Sequence, residues 1–101
     1  MTQSYVYFIR AGLSGPIKIG FSKNPLRRYQ DLQSGNPEKL RLLAIHPGGA
    51  ELERTLHRYF KPSRLLNEWF DPTDELLDLI DNVDQLRHWN ADSYDGLQET
   101  A

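Results

Sequence analysis

The run Tyr5 to Arg10, YVYFIR, is rich in aromatic and β-branched residues and predicts a pleated strand, with Val6 and Phe8 on one face and Tyr7 on the other. Leu13-Ser14-Gly15-Pro16 supplies a turn. Ile17 to Phe21 then alternates apolar Ile17, Ile19 and Phe21 with Lys18 and Gly20, the period of a strand with one buried face. If the apolar faces of this hairpin coincide, Tyr7 and Lys18 share the opposite one. Asn24-Pro25 predicts a helix start, Asn as N-cap and Pro at the first helical position, running to about Gln33. Leu26, Tyr29 and Leu32 form its packed side, Arg28 lies beside them, and Ser34-Gly35-Asn36-Pro37 ends it.

Leu40 to His46, LRLLAIH, is nearly continuous in apolar residues and predicts a third, mostly buried strand. Pro47-Gly48-Gly49 turns the chain into a second helix over Ala50 to Phe60, with Leu52, Leu56 and Tyr59 as its stripe. Arg64 to Phe70 reads as a loop ending in the extended piece EWF. Asp71-Pro72 predicts the cap of a third helix, whose stripe is Leu76, Ile80, Val83 and Leu86 and whose remainder carries Asp74, Asp78, Asp81 and Asp84. From Ala91 onward the sequence is polar and aperiodic. The pattern therefore predicts one α+β domain over residues 1–90, a small three-stranded, mainly antiparallel sheet flanked by helices, and a disordered tail over 91–101.

Composition narrows the function classes. Without cysteine there is neither a disulfide framework nor a thiolate zinc site. No apolar run approaches the roughly 20 residues that cross a bilayer, and no secretory signal is evident, so a cytoplasmic protein with no membrane partner is expected. Charge is split along the chain. Up to Arg64 there are 11 Lys and Arg against 4 Asp and Glu, a balance of +7; from Leu65 onward there is 1 against 10, a balance of −9. The basic part takes in all three strands and the first two helices, which suits a polyanionic partner. Within it, a phenol (Tyr7), an ammonium (Lys18) and the guanidinium groups of Arg27 and Arg28 converge near one hairpin, as a phosphate site requires. Glu53 and His57 sit one helical turn apart on the edge of the second helix. A zinc reading of that pair lacks a third and fourth ligand at a recognisable spacing.

VYFI, then IKIG, then an Arg in the following helix, with LERTLH and EWF further on, resembles the GIY-YIG nuclease superfamily, most closely its small phage-type branch with a KIG second motif. The resemblance spans roughly Tyr5 to Pro72. It implies a metal-dependent endonuclease acting on DNA, with Tyr7 as the first motif tyrosine, Arg28 stabilising the charge on phosphorus, and Glu53 holding Mg²⁺ or Mn²⁺. His57 would assist the leaving group or bind phosphate, and Lys23, Arg27, Arg54 and Arg58 would meet the nucleic acid. Lys18 stands where the pattern has its second tyrosine. The general base is thus Tyr7, Lys18 or a metal-bound hydroxide, and Lys18 could instead clamp a phosphate oxygen. The alternative is a catalytically inactive nucleic-acid-binding or protein-interaction module on the same fold. No base-reading element is present, so sequence choice would come from a protein partner, an oligomer or DNA structure.

Overall fold

The computed structural model describes residues 2–89; the tail expected over 91–101 lies outside them. Five strands and three α-helices follow in the order β1 (Tyr5–Ala11), β2 (Ile17–Ser22), α1 (Pro25–Ser34), β3 (Leu40–Pro47), α2 (Ala50–Tyr59), β4 (Arg64–Leu66), β5 (Trp69–Phe70) and α3 (Asp74–Asp81). Short 3-10 helices occupy Lys61–Ser63 and Val83–His88. The fold is α+β. The sheet has the order β3-β1-β2-β5-β4, and every neighbouring pair is antiparallel. Five strands rather than three is a correction: Arg64–Phe70 is a hairpin added to the outer edge of β2, not a loop. Asn67 turns it in the left-handed region (φ 53°), a conformation that Asn tolerates better than most residues.

The inner strand β1, between β3 and β2, is buried on both faces. Val6 and Phe8 pack with Ile17, Ile19, Leu52, Leu56, Phe70, Leu76, Ile80 and Leu86 under α2, α3 and the final 3-10 helix. Tyr7, Ile9, Ala11 and Leu40 form a smaller core on the other face, against Tyr29 and Leu32 of α1. Two expectations about faces change. Leu26 is 57% exposed, because α1 meets the sheet through Pro25, Tyr29 and Leu32 instead. Phe21 follows the period of Ile17 and Ile19, yet it is 41% exposed where they are fully buried. The third helix also starts later than Asp71-Pro72 suggested. Thr73 is its cap, its hydroxyl accepting from the backbone N–H of Leu76 at 3.2 Å, while the Asp71 N–H is spent on the Ser63 carbonyl at 2.8 Å.

Candidate functional site

The site begins with the register of the first hairpin, which sets Tyr7 directly opposite Gly20. A Cβ at Gly20 would lie 2.5 Å from Tyr7 Cζ, with the hydroxyl oxygen closer still. Glycine is therefore what lets the phenol lie across the backbone of β2 and reach the strand's outer edge. The ring is only 2% exposed. Its hydroxyl makes no hydrogen bond among the described residues, yet it is not sealed in as an orphaned polar atom. It opens on a groove.

That groove lies where β5 stops. Trp69 and Phe70 cover β2 only at Lys18 and Ile17, and the Ile19 N–H donates to the Glu68 carbonyl at 3.0 Å. Beyond that point the edge of β2 carries no strand. The space is lined by Tyr7, Phe21, Ser22, Arg28, Glu53 and Glu68 and has a volume of about 320 Å³. A larger cavity of about 430 Å³, at Tyr59, Phe60, Arg64 and Glu75, contains none of the candidate residues.

Three candidates from three elements thus meet. Tyr7 comes from β1. Arg28 comes from the first turn of α1, which Asn24 starts by accepting from the Arg27 N–H at 3.1 Å; its guanidinium is exposed and has no ion-pair partner among the described residues. Glu53 comes from the half-buried edge of α2. Burial raises the Glu53 carboxyl above its ordinary value, and the negative charge of Glu68 raises it further; His57, Lys18 and Arg54 offset part of this.

Lys18 and His57 sit just outside. Lys18 shares the face of Tyr7, but its ammonium is bound to Glu68 Oε1 at 2.8 Å and lies 5.8 Å from the centre of the Trp69 ring, with the side chain 11% exposed. Its amino group is anchored by that carboxylate and by the ring. His57 donates from Nε2 to the Ile19 carbonyl at 2.8 Å and meets the Phe70 ring edge-on at 4.9 Å. That contact pins α2 to β2, and it keeps the Glu53 edge of the helix over the groove. Lys23, Arg27, Arg54 and Arg58 are exposed and do not line it.

Glu68 and Phe21 are the residues that sequence reasoning passed over. Glu68 opens the extended piece EWF, which the sequence presents only as the end of a loop. The signal was strand alternation across a two-residue strand, too short to read. Among the described residues no group of three or more His, Cys, Asp or Glu gathers as a metal cluster. Glu53 and Glu68 are the carboxylates the groove offers.

A model of the T5orf172 domain matches residues 4–91, nearly the whole described chain. The chain belongs to the T5orf172 domain family. This corrects the resemblance to the GIY-YIG superfamily, which rested on four short pieces; the match to a different family takes in the whole span between them. Roles carried over from that resemblance lose its support, and the residues of this T5orf172 domain stand on their geometry alone. The family is phage-associated and linked to nuclease-like and DNA-binding functions, which is compatible with a nucleic-acid-related role for this T5orf172 domain. No curated protein and no solved structure matches the chain. Among the described residues no helix is long and apolar enough to cross a membrane.

Proposed function

We propose that this domain hydrolyses phosphodiester bonds of DNA with the help of a divalent metal ion, Mg²⁺ or Mn²⁺. The observation that carries the reading is the meeting in one groove of Tyr7, Arg28 and Glu53, from three separate elements of the basic stretch up to Arg64. The donor set suits a hard cation. Mg²⁺ keeps several waters and takes only one or two carboxylates, and Glu53 already carries a penalty for its negative charge that a cation would relieve. Glu53 would hold the ion, with Glu68 beside it. When bound, the ion supplies Lewis-acid polarisation of the phosphate.

The chain's own groups do the rest. The Arg28 guanidinium is fork-shaped and free to pair two phosphate oxygens, stabilising the negative charge that grows as the attacking oxygen adds to phosphorus. The Tyr7 hydroxyl, open to the groove and otherwise unbonded, positions the incoming water and takes part in its proton transfer. Lys18, paired with Glu68, holds that carboxylate in place at the wall and offsets part of its negative charge. Sequence choice would come from a protein partner or a second copy, and the reaction would take place in the cytoplasm.

A second reading, a binding module without catalysis, is favoured by one observation: the groove gathers only two carboxylates, and one of them is already engaged by Lys18. A nuclease assay separates the two, on supercoiled, linear and single-stranded DNA with Mg²⁺, Mn²⁺ or EDTA. Cleavage that needs the metal and disappears in Glu53→Gln is the expected result. Binding without cleavage in either metal would leave the module reading.

A further inference from the structure

Ile17, Ile19 and Phe21 follow one another on the same face of β2, but burial stops at Ile19. Leu13, Phe21, Leu26, Ile45, Leu65 and Leu66 are the large apolar side chains exposed among the described residues. Phe21 is the one aromatic ring in that set, and the one member that lines the groove of Tyr7, Arg28 and Glu53. Single exposed apolar residues are ordinary on a protein surface. An aromatic one placed beside an unpaired guanidinium and a phenol is a specific chemistry, because a nucleotide is a flat apolar base joined to an anionic phosphate.

The geometry limits which nucleotide fits. In a duplex both faces of a base are covered by its stacked neighbours, so an aromatic side chain can stack only on a base that has left the stack. The groove's 320 Å³ also falls at the low end of the range for small-molecule sites, about 300–1,000 Å³, which suits one nucleotide rather than a double helix.

We propose that Phe21 is a stacking platform for an unstacked nucleobase whose phosphate is held by Arg28, so that the groove takes DNA with an unpaired nucleotide. This rests on the reading of the groove as a DNA phosphodiester site. The unpaired nucleotide can come from a single strand or from a mismatched position in a duplex, and both belong in the test.

The test measures binding by fluorescence anisotropy in EDTA, using a single strand, a fully paired duplex and the same duplex with one mismatch. Base–aromatic stacking predicts a loss of about 10- to 100-fold in single-strand affinity for Phe21→Ala, with Phe21→Tyr staying within about three-fold of wild type. Phe21→Leu keeps the apolar bulk without the ring and should lose as Phe21→Ala does, which guards against a variant that merely misfolds. An oligonucleotide carrying 2-aminopurine should change its emission on binding wild type and not on binding Phe21→Leu. A mismatched duplex that follows the single strand identifies base extrusion as a source; one that follows the paired duplex restricts the source to single strands. If Phe21→Ala and Phe21→Leu bind and cleave like wild type while Arg28→Ala does not, stacking is overturned and the phosphodiester site survives. If wild type neither binds nor cleaves any of the three DNAs, the site itself is overturned and the stacking with it.

Discussion

The two ends of β2 differ although they belong to one strand of six residues. At Ile17–Lys18 the strand is paired on both sides, Ile17 is fully buried, and the Lys18 charge is matched by Glu68. At Gly20–Ser22 it is paired on one side only, Phe21 is exposed, and the neighbouring charges of Arg28 and Glu53 are not paired with each other. The first end is satisfied by its neighbours, and the second leaves an aromatic ring and unpaired charges facing the groove. Where the sheet runs out of strands, side chains are held by the scaffold without being covered by it, which is the setting in which binding groups are commonly found.

The sharpest break in this comparison is Glu53→Gln, which should abolish metal-dependent cleavage in a plasmid-nicking assay. The same change should stabilise the fold. A carboxyl raised by burial and by Glu68 binds its proton more tightly folded than unfolded. Its favourable contribution is therefore complete below the ordinary carboxylate value and is lost as pH rises through the raised one. Thermal melting should show Glu53→Gln above wild type at neutral pH, with the gap closing in acid. Next comes Arg28→Ala: loss of one preorganised donor costs on the order of 10²–10³ in rate, and single-turnover cleavage should show it, with Arg27→Ala far milder.

Gly20→Ala attacks the close approach that lets the phenol cross β2. Tyr7 is too tightly packed to retreat, so overpacking of about 1–3 kcal/mol is expected, a fall of roughly 4–24 °C in Tm. Lys18→Met, at the closed end, breaks a partly buried ion pair and should cost about 1–2 kcal/mol in urea unfolding. Because Lys18 lowers the Glu53 carboxyl, its loss should also shift the acid limb of the activity profile to higher pH. The smallest effect belongs to Asp78, Asp81 and Asp84. All three are exposed and none lines the groove, so changing them to Asn should leave DNA affinity unchanged at low and high salt.

The elements with a readable period were legible. The hairpin, α1, β3 and α2 end within a residue of where alternation, caps and Gly-Pro turns place them. The β4–β5 hairpin was not, because strands of three and two residues show no period and Leu65 and Leu66 face outward. Asp71-Pro72 imitates a cap followed by an N1 proline, and only the bond from the Leu76 N–H to the Thr73 hydroxyl shows that Thr73 does the capping. At the site, Tyr7, Arg28 and Glu53 were picked out as candidates, while Glu68 needed the unread hairpin to bring it into place. The family was misread because short motifs around a common hairpin and helix weigh less than a match along the whole domain.

The hairpin also sets an order of opening. Strand β1 exchanges hydrogen bonds with neighbours along its length on both sides, whereas β5 joins β2 at two positions and through the Ile19 N–H. Amide protons of β1 should therefore be the last to exchange with deuterated solvent, and those bridging β2 and β5 should exchange earlier, through an excursion that exposes Phe70 but leaves the β3-β1-β2 ladder paired. In that excursion Glu68 swings away, Lys18 loses its counter-charge, and the wall beside Glu53 is removed. A protease present in trace amounts would find its first cut near Asn67.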